Sequence, residues 1–212
     1  MVGAWLPRRF RAGIPALVVA ALVTITPALA QRDSRAVTII GGDAYSARCI
    51  ANVAAGDFGD ITLDTCTRAL RNPRLNDEGE MQLLITRGIV HLRRGNGEAA
   101  IADFDVVLEE DDEHAEARLN RAAALVQLGR HGPAIAEITQ ALSLGVAEPH
   151  KAYFNRAAAR EALGDIRGAY EDYSTALEIQ PDWGPASAEL ARFARGRRDH
   201  LANVLSDPAP QQ

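Results

Sequence analysis

The sequence predicts an all-α protein built from stacked antiparallel helix pairs, and three observations lead there. The 212-residue chain is 47% hydrophobic but only 5% aromatic, and alanine and leucine dominate its apolar content, which favours helix over sheet. Self-similarity at a fixed period runs through the middle of the chain, as in "NRAAA" at 120–124 and again at 155–159. Small residues and a glycine return at the same place in each period, as two closely packed helices joined by a tight turn require.

Aligning on Leu128-Gly129 and Leu163-Gly164 gives three 34-residue units, 81–114, 115–148 and 150–183, with Pro149 inserted before the third. Position 8 is Gly88, Ala122 and Ala157, and position 20 is Ala100, Ala134 and Ala169. Both are small enough for two helices to approach closely. Position 15 is Gly95, Gly129 and Gly164, which ends the first helix of each unit. Position 24 is Phe104, Ile138 and Tyr173, which fill the space between the helices. An apolar pair closes the second helix: Val107-Leu108, Ala141-Leu142 and Ala176-Leu177. Placing Ala69-Leu70 at the same two positions defines a weaker unit over 43–76.

In its period, its two small positions, its glycine turn and its closing apolar pair, the chain resembles the tetratricopeptide repeat family over 81–183. It departs from the family at two places. Only Pro181 keeps the proline of position 32, and His91 and Arg160 replace the usual aromatic at position 11. The resemblance implies a right-handed α-solenoid over 43–183, with three clear units and one degenerate N-terminal unit. A capping helix is expected at 184–205, carrying Leu190, Phe193, Leu201, Val204 and Leu205 and broken near Gly196. Segment 31–42 reads as an extended leader, and 206–212 as a disordered tail.

The N-terminus reads as a signal peptide over 1–30. Arg8, Arg9 and Arg11 precede a short apolar run at 14–25, and Ala28-Leu29-Ala30 offers small residues for cleavage after Ala30. The run is shorter than the roughly 20 residues that span a membrane. A periplasmic or secreted mature protein without a membrane span is therefore expected, from an exported bacterial member of the family. Losing three arginines and no acids takes the formal charge from −5 to −8, which argues against nucleic acid and anionic membranes as partners.

Export decides how the two cysteines read. Cys49 and Cys66 are the only pair, and an oxidising compartment makes a disulfide the default. Its closure would stabilise by about 3 kcal/mol. Cys49 falls at position 7 and Cys66 at position 24 of the weak unit, places that face each other across a helix pair.

The arginines of "NRAAA", Arg121 and Arg156, stand at position 7, and so does Arg87. Position 23 is acidic each time: Asp103, Glu137 and Asp172. Two readings arise: structural ion pairs within each unit or with the preceding unit's acid (Asp103 with Arg121, Glu137 with Arg156), or capture of a ligand carboxylate. The spacing favours the structural ladder.

The family resemblance implies a concave groove lined by positions 2, 5, 9, 12 and 13, so that Ile85, Ile89, Leu92, Leu119, Val126, Lys151 and Phe154 are candidates for contacting a partner. Asn120 and Asn155, at position 6, would bond a peptide backbone or a neighbouring helix. Such a groove suits an apolar or amphipathic segment and lacks the paired basic residues that grip a free C-terminal carboxylate. The expected function is a scaffold binding a protein or peptide. The alternative is a self-associating assembly subunit whose own C-terminal helix fills the groove. No nucleophile, base, metal cluster or phosphate loop emerges from the five histidines, the acidic run at 109–114 or the glycine-containing stretches, so neither enzyme, metal nor cofactor is expected.

Overall fold

The computed structural model describes residues 44–206, with side chains as far as Gly196. The expected signal peptide, the leader and all but the first residue of the expected tail lie outside the described residues. The described residues form nine α-helices and no strand. These are α1 (Ala44–Ala54), α2 (Asp60–Ala69), α3 (Asp77–Arg93), α4 (Gly97–Glu110), α5 (Ala115–Gln127), α6 (His131–Leu144), α7 (Pro149–Ala162), α8 (Ile166–Ile179) and α9 (Gly184–Ser206).

Local chemistry sets the helix ends. The Asn76 side chain accepts from Gly79 N–H at 3.2 Å, so α3 begins one turn before Met81, where the repeat register starts. Asp165 caps α8 through Gly168 N–H at 3.0 Å, and Pro149 opens α7. Gly95, Gly129 and Gly164 have φ of +82°, +74° and +84°, the left-handed conformation that glycine adopts without steric cost. Each is followed by a backbone N–H that reaches back over the helix end: Asn96 to His91 O, Arg130 to Leu125 O, Asp165 to Arg160 O. The α3–α4, α5–α6 and α7–α8 turns are therefore the same glycine-closed motif.

Helices pack as antiparallel pairs, α1/α2, α3/α4, α5/α6 and α7/α8, and each second helix also packs on the first helix of the next unit. The small positions are fully buried: Ala100, Ala122, Ala134, Ala157 and Ala169 are all 0% exposed. Phe104, Ile138 and Tyr173 fill the space that those residues leave, and all three are buried. First helices also touch one another, α1 with α3, α3 with α5 and α5 with α7. They form the inner row of an α-solenoid, and the second helices form the outer one.

Cys49 and Cys66 are disulfide-bonded and fully buried, joining α1 to α2 with Cα atoms 4.9 Å apart. At the other end α9 takes the place of a further first helix. Ala186 is buried against a cluster of Phe154, Tyr173 and Trp183, and Arg192 donates to both Glu161 oxygens at 2.7 and 2.8 Å. Gly196 does not break this helix, which runs to Ser206, the first residue of the expected tail. A mid-helix glycine costs only about 1 kcal/mol, less than the loss of a whole helical segment.

Candidate partner-binding face

Two sets of side chains compete for the role of binding surface: the position-7 arginines and the residues of the inner row. The arginines prove to be engaged inside the fold. Arg87 holds Asp103 through Nε at 2.9 Å and a terminal nitrogen at 2.6 Å, and Arg156 holds Asp172 in the same fork at 2.9 and 2.8 Å. Asp103 and Asp172 are buried. Hydrogen bonding to Asp172 raises the Arg156 pKa above its ordinary value, against the effect of burial. Burial alone would lower that of Arg121, but hydrogen bonds to Asp105 and Glu137 outweigh it.

Arg121 also reaches outside its own unit. One terminal nitrogen donates to Glu137 at 2.6 Å and the other to Asp105 of the preceding unit at 2.7 Å. Arg156 likewise donates to Thr139 of the preceding unit at 3.1 Å. Asp105 and Thr139 both stand at position 25. The inter-unit partner of position 7 is thus position 25, and not the position-23 acid (Asp103 for Arg121, Glu137 for Arg156) that the sequence offered. One helical turn separates residues four apart, not two, so positions 23 and 25 point different ways. Two further arginines escaped sequence reasoning. Arg118 shares Glu137 at 3.2 Å, and Arg160 shares Asp172 at 2.9 Å. Both lie outside the position-7 period, which is why the repeat did not reveal them.

The inner row departs from expectation. Ile85, Ile89 and Leu92 of α3 are buried in the core cluster that contains Cys49, Val53 and Phe104, and do not present a surface. Direct packing of first helices on one another covers them. Phe154 is 3% exposed, with its ring edge-on to Tyr173 at 5.2 Å and to Trp183 at 5.0 Å. It anchors α9 and is not open to a partner. Lys151 is buried too, and its Nζ pairs with Glu148 at 2.6 Å. Leu119, Asn120 and Val126 of α5 remain half-buried.

The polar groups of this row divide sharply. Charged side chains are engaged: Glu116 accepts from Ala147 N–H at 2.7 Å, Glu161 from Arg192, and Arg93 lies over the Phe58 ring at 5.0 Å. Asn120 donates back to Glu116 O at 2.9 Å. Gln127 donates to Leu92 O at 3.1 Å, but its Oε1 is buried without a partner among the described residues. The Oδ1 of Asn155, on the adjacent α7, is in the same position, in a residue only 1% exposed. Buried amide oxygens are seldom left unpaired, since each costs about 1–3 kcal/mol. Among the described residues no cluster of His, Cys, Asp or Glu is placed to hold a metal ion, and no helix is long and apolar enough to cross a membrane.

Comparison with known proteins agrees with the helix-pair geometry. The tetratricopeptide repeat family model matches residues 150–182. This chain carries tetratricopeptide repeats. RNA polymerase II-associated protein 3 of Xenopus laevis is 32% identical over 159 residues, which cover 72% of this chain and 24% of that protein. The chain spans about a quarter of the length of the curated relatives it matches. Among solved structures, the first such domain of Spaghetti (RPAP3), bound to the HSP90 peptide SRMEEVD, superposes with a TM-score of 0.53 at 27% identity. That match covers 57% of this chain and 96% of the domain. MamA of Desulfovibrio magneticus RS-1, at 18% identity and a TM-score of 0.61, covers 74% of this chain and 86% of its own, and shares the fold alone. The match falls on the last of three consecutive 34-residue periods between 81 and 183, each of which has the same glycine turn.

Proposed function

We propose that this chain is an exported scaffold that binds an uncharged, largely apolar peptide segment along α5 and α7. The observation that carries this reading is the half-buried apolar pair Leu119 and Val126 on α5, which the neighbouring helices leave accessible on the inner row. Both supply the apolar contact. Asn120 lies beside them.

The peptide bound to the Spaghetti domain, SRMEEVD, is acidic. Here Glu116 and Glu161 stand on the row, and Lys151 is occupied by Glu148. That balance favours a neutral segment over an acidic tail. Isothermal calorimetry against a panel of neutral apolar, basic and SRMEEVD-type peptides tests the specificity. Binding of the neutral class should weaken at least about tenfold (~1.4 kcal/mol) in Val126→Asp and Leu119→Asp. Preferential binding of the acidic peptide, or indifference to both changes, would overturn the reading.

Export rests on the N-terminal sequence and is consistent with the buried Cys49–Cys66 disulfide, since such bonds persist in oxidising compartments. Fractionation followed by N-terminal sequencing should find a mature chain that begins at Gln31. Recovery of an intact N-terminus in the cytoplasm would exclude it.

A further inference from the structure

One carboxylate interrupts the apolar line of the inner row, and a residue of α9 neutralises it. Position 12 is Leu92 in the first clear unit, Val126 in the second and Glu161 in the third. Glu161 therefore stands on α7 at the place that Val126 takes on the adjacent α5. Its side chain is 28% exposed, and both of its oxygens accept from one terminal nitrogen of Arg192, at 2.7 and 2.8 Å. The Nε of the same arginine donates to Glu189 at 2.7 Å. Two carboxylates thus converge on a single guanidinium, which also lies over the Phe193 ring at 4.8 Å. The hydroxyl of the buried Tyr173 donates to Glu161 at 3.5 Å, a tie that does not pass through Arg192.

Two carboxylates that share one guanidinium form a site for an arginine side chain, because its planar fork offers donors to both. This chain fills the site with its own Arg192, so a basic residue of a bound peptide finds the acceptors taken. Removal of Arg192 leaves Glu161 still tied to Tyr173, beside the apolar Val126. On the peptide-binding reading above, we infer that Arg192 sets the specificity of the row. It shuts out basic side chains, and without it the row selects a peptide that carries an arginine beside its apolar residues. Arg192 does this through Glu161 and Glu189, as the residue that occupies their site.

Calorimetry with one neutral apolar peptide and an arginine scan of it reads the selectivity. In the parent chain no arginine-bearing peptide should bind more tightly than the neutral one, and a parent that already prefers arginine overturns the inference. Arg192→Met keeps an unbranched stem on Phe193 and removes the charge. There the best arginine-bearing peptide should gain at least about threefold over the neutral one. Arg192→Lys should keep the parent's selectivity, and adding Glu161→Gln to Arg192→Met should abolish the gain. If Arg192 only fastens α9, its loss changes the affinity for every peptide by the same factor. That equal change overturns the inference, as does a gain that survives Glu161→Gln. Methylguanidinium supplies a readout without any peptide: it should raise the melting temperature of Arg192→Met, and not that of the parent chain or of the double variant. Absence of peptide binding in every form condemns the peptide-binding reading, and methylguanidinium then decides alone. No rise in Arg192→Met rejects the arginine site, even where that variant melts early.

Discussion

Gly88 and Phe104 occupy one another's space: a Cβ on Gly88 would lie 2.6 Å from Phe104 Cε1 and 2.7 Å from Cζ. The glycine of position 8 and the ring of position 24 form a matched pair, and the next unit solves the same problem with Ala122 and Ile138. In an open helix Gly→Ala gains about 0.5–1 kcal/mol. Here the clash reverses the sign, and Gly88→Ala should lower stability by about 1–3 kcal/mol in urea unfolding. Combining it with Phe104→Leu should restore part of the loss, and a stabilised single variant would show that the ring moves aside freely.

The buried ion pairs are predicted to be unequal to the exposed ones. Arg87→Leu leaves Asp103 buried without its fork and should cost about 3–5 kcal/mol. Arg130→Leu breaks a pair with the exposed Glu98 and should cost at most about 1 kcal/mol. Charge exchange belongs at Arg87 and Asp103, because Glu137 also meets Arg118 and Asp172 also meets Arg160. The exchanged double variant should unfold at higher urea than Arg87→Asp alone, and equal midpoints would deny the pair any register role.

Replacing both cysteines by alanine should cost about 2–4 kcal/mol. The loss should be local. Hydrogen exchange in α1 and α2 should accelerate more than exchange in α5 to α8, and uniform acceleration would place the effect elsewhere.

Acid should weaken the fold before carboxylates begin to titrate. Burial holds His91 and His150 below the ordinary value of 6.5, against the pull of Asp103 and Glu148 respectively. The unfolded chain then takes up protons near 6.5 while the folded chain resists, so stability is complete above that value and is lost as pH falls below it. The urea midpoint should fall between about pH 7.5 and 5.5, and His91→Gln should flatten part of that slope. A midpoint that is flat in the parent chain would contradict the burial of both rings.

Much of this architecture could be read from residue size alone. Gly88, Ala122 and Ala157 opposite Phe104, Ile138 and Tyr173 announce helix pairs because volume must be conserved across a packed interface. The within-unit arginine pairs were equally legible, since a single offset of sixteen residues repeats three times. The binding face was less so. Phe154 and Ile85 stand at the same repeat position but are buried by different neighbours, one by Trp183 and the other within the core around α3. Such neighbours belong to particular units and leave no trace in a periodic pattern. Position 25 was hidden for a related reason: Asp105 and Thr139 share polarity but not charge, so their common role shows only when the next unit is in place.

The Cys49–Cys66 bond gives the row of helices a direction. In a solenoid each unit is held only by its neighbours, so units are lost from the ends inward. A covalent staple across the first pair keeps α1 and α2 together even when their packing is lost. The opposite end is held, among the described residues, by non-covalent contacts, those of Ala186, Leu190, Arg192, Phe193 and Trp183, all of them reversible. Unravelling under load or heat therefore proceeds vectorially, from α9 toward α1, and recoil starts from a tethered seed at the N-terminal end.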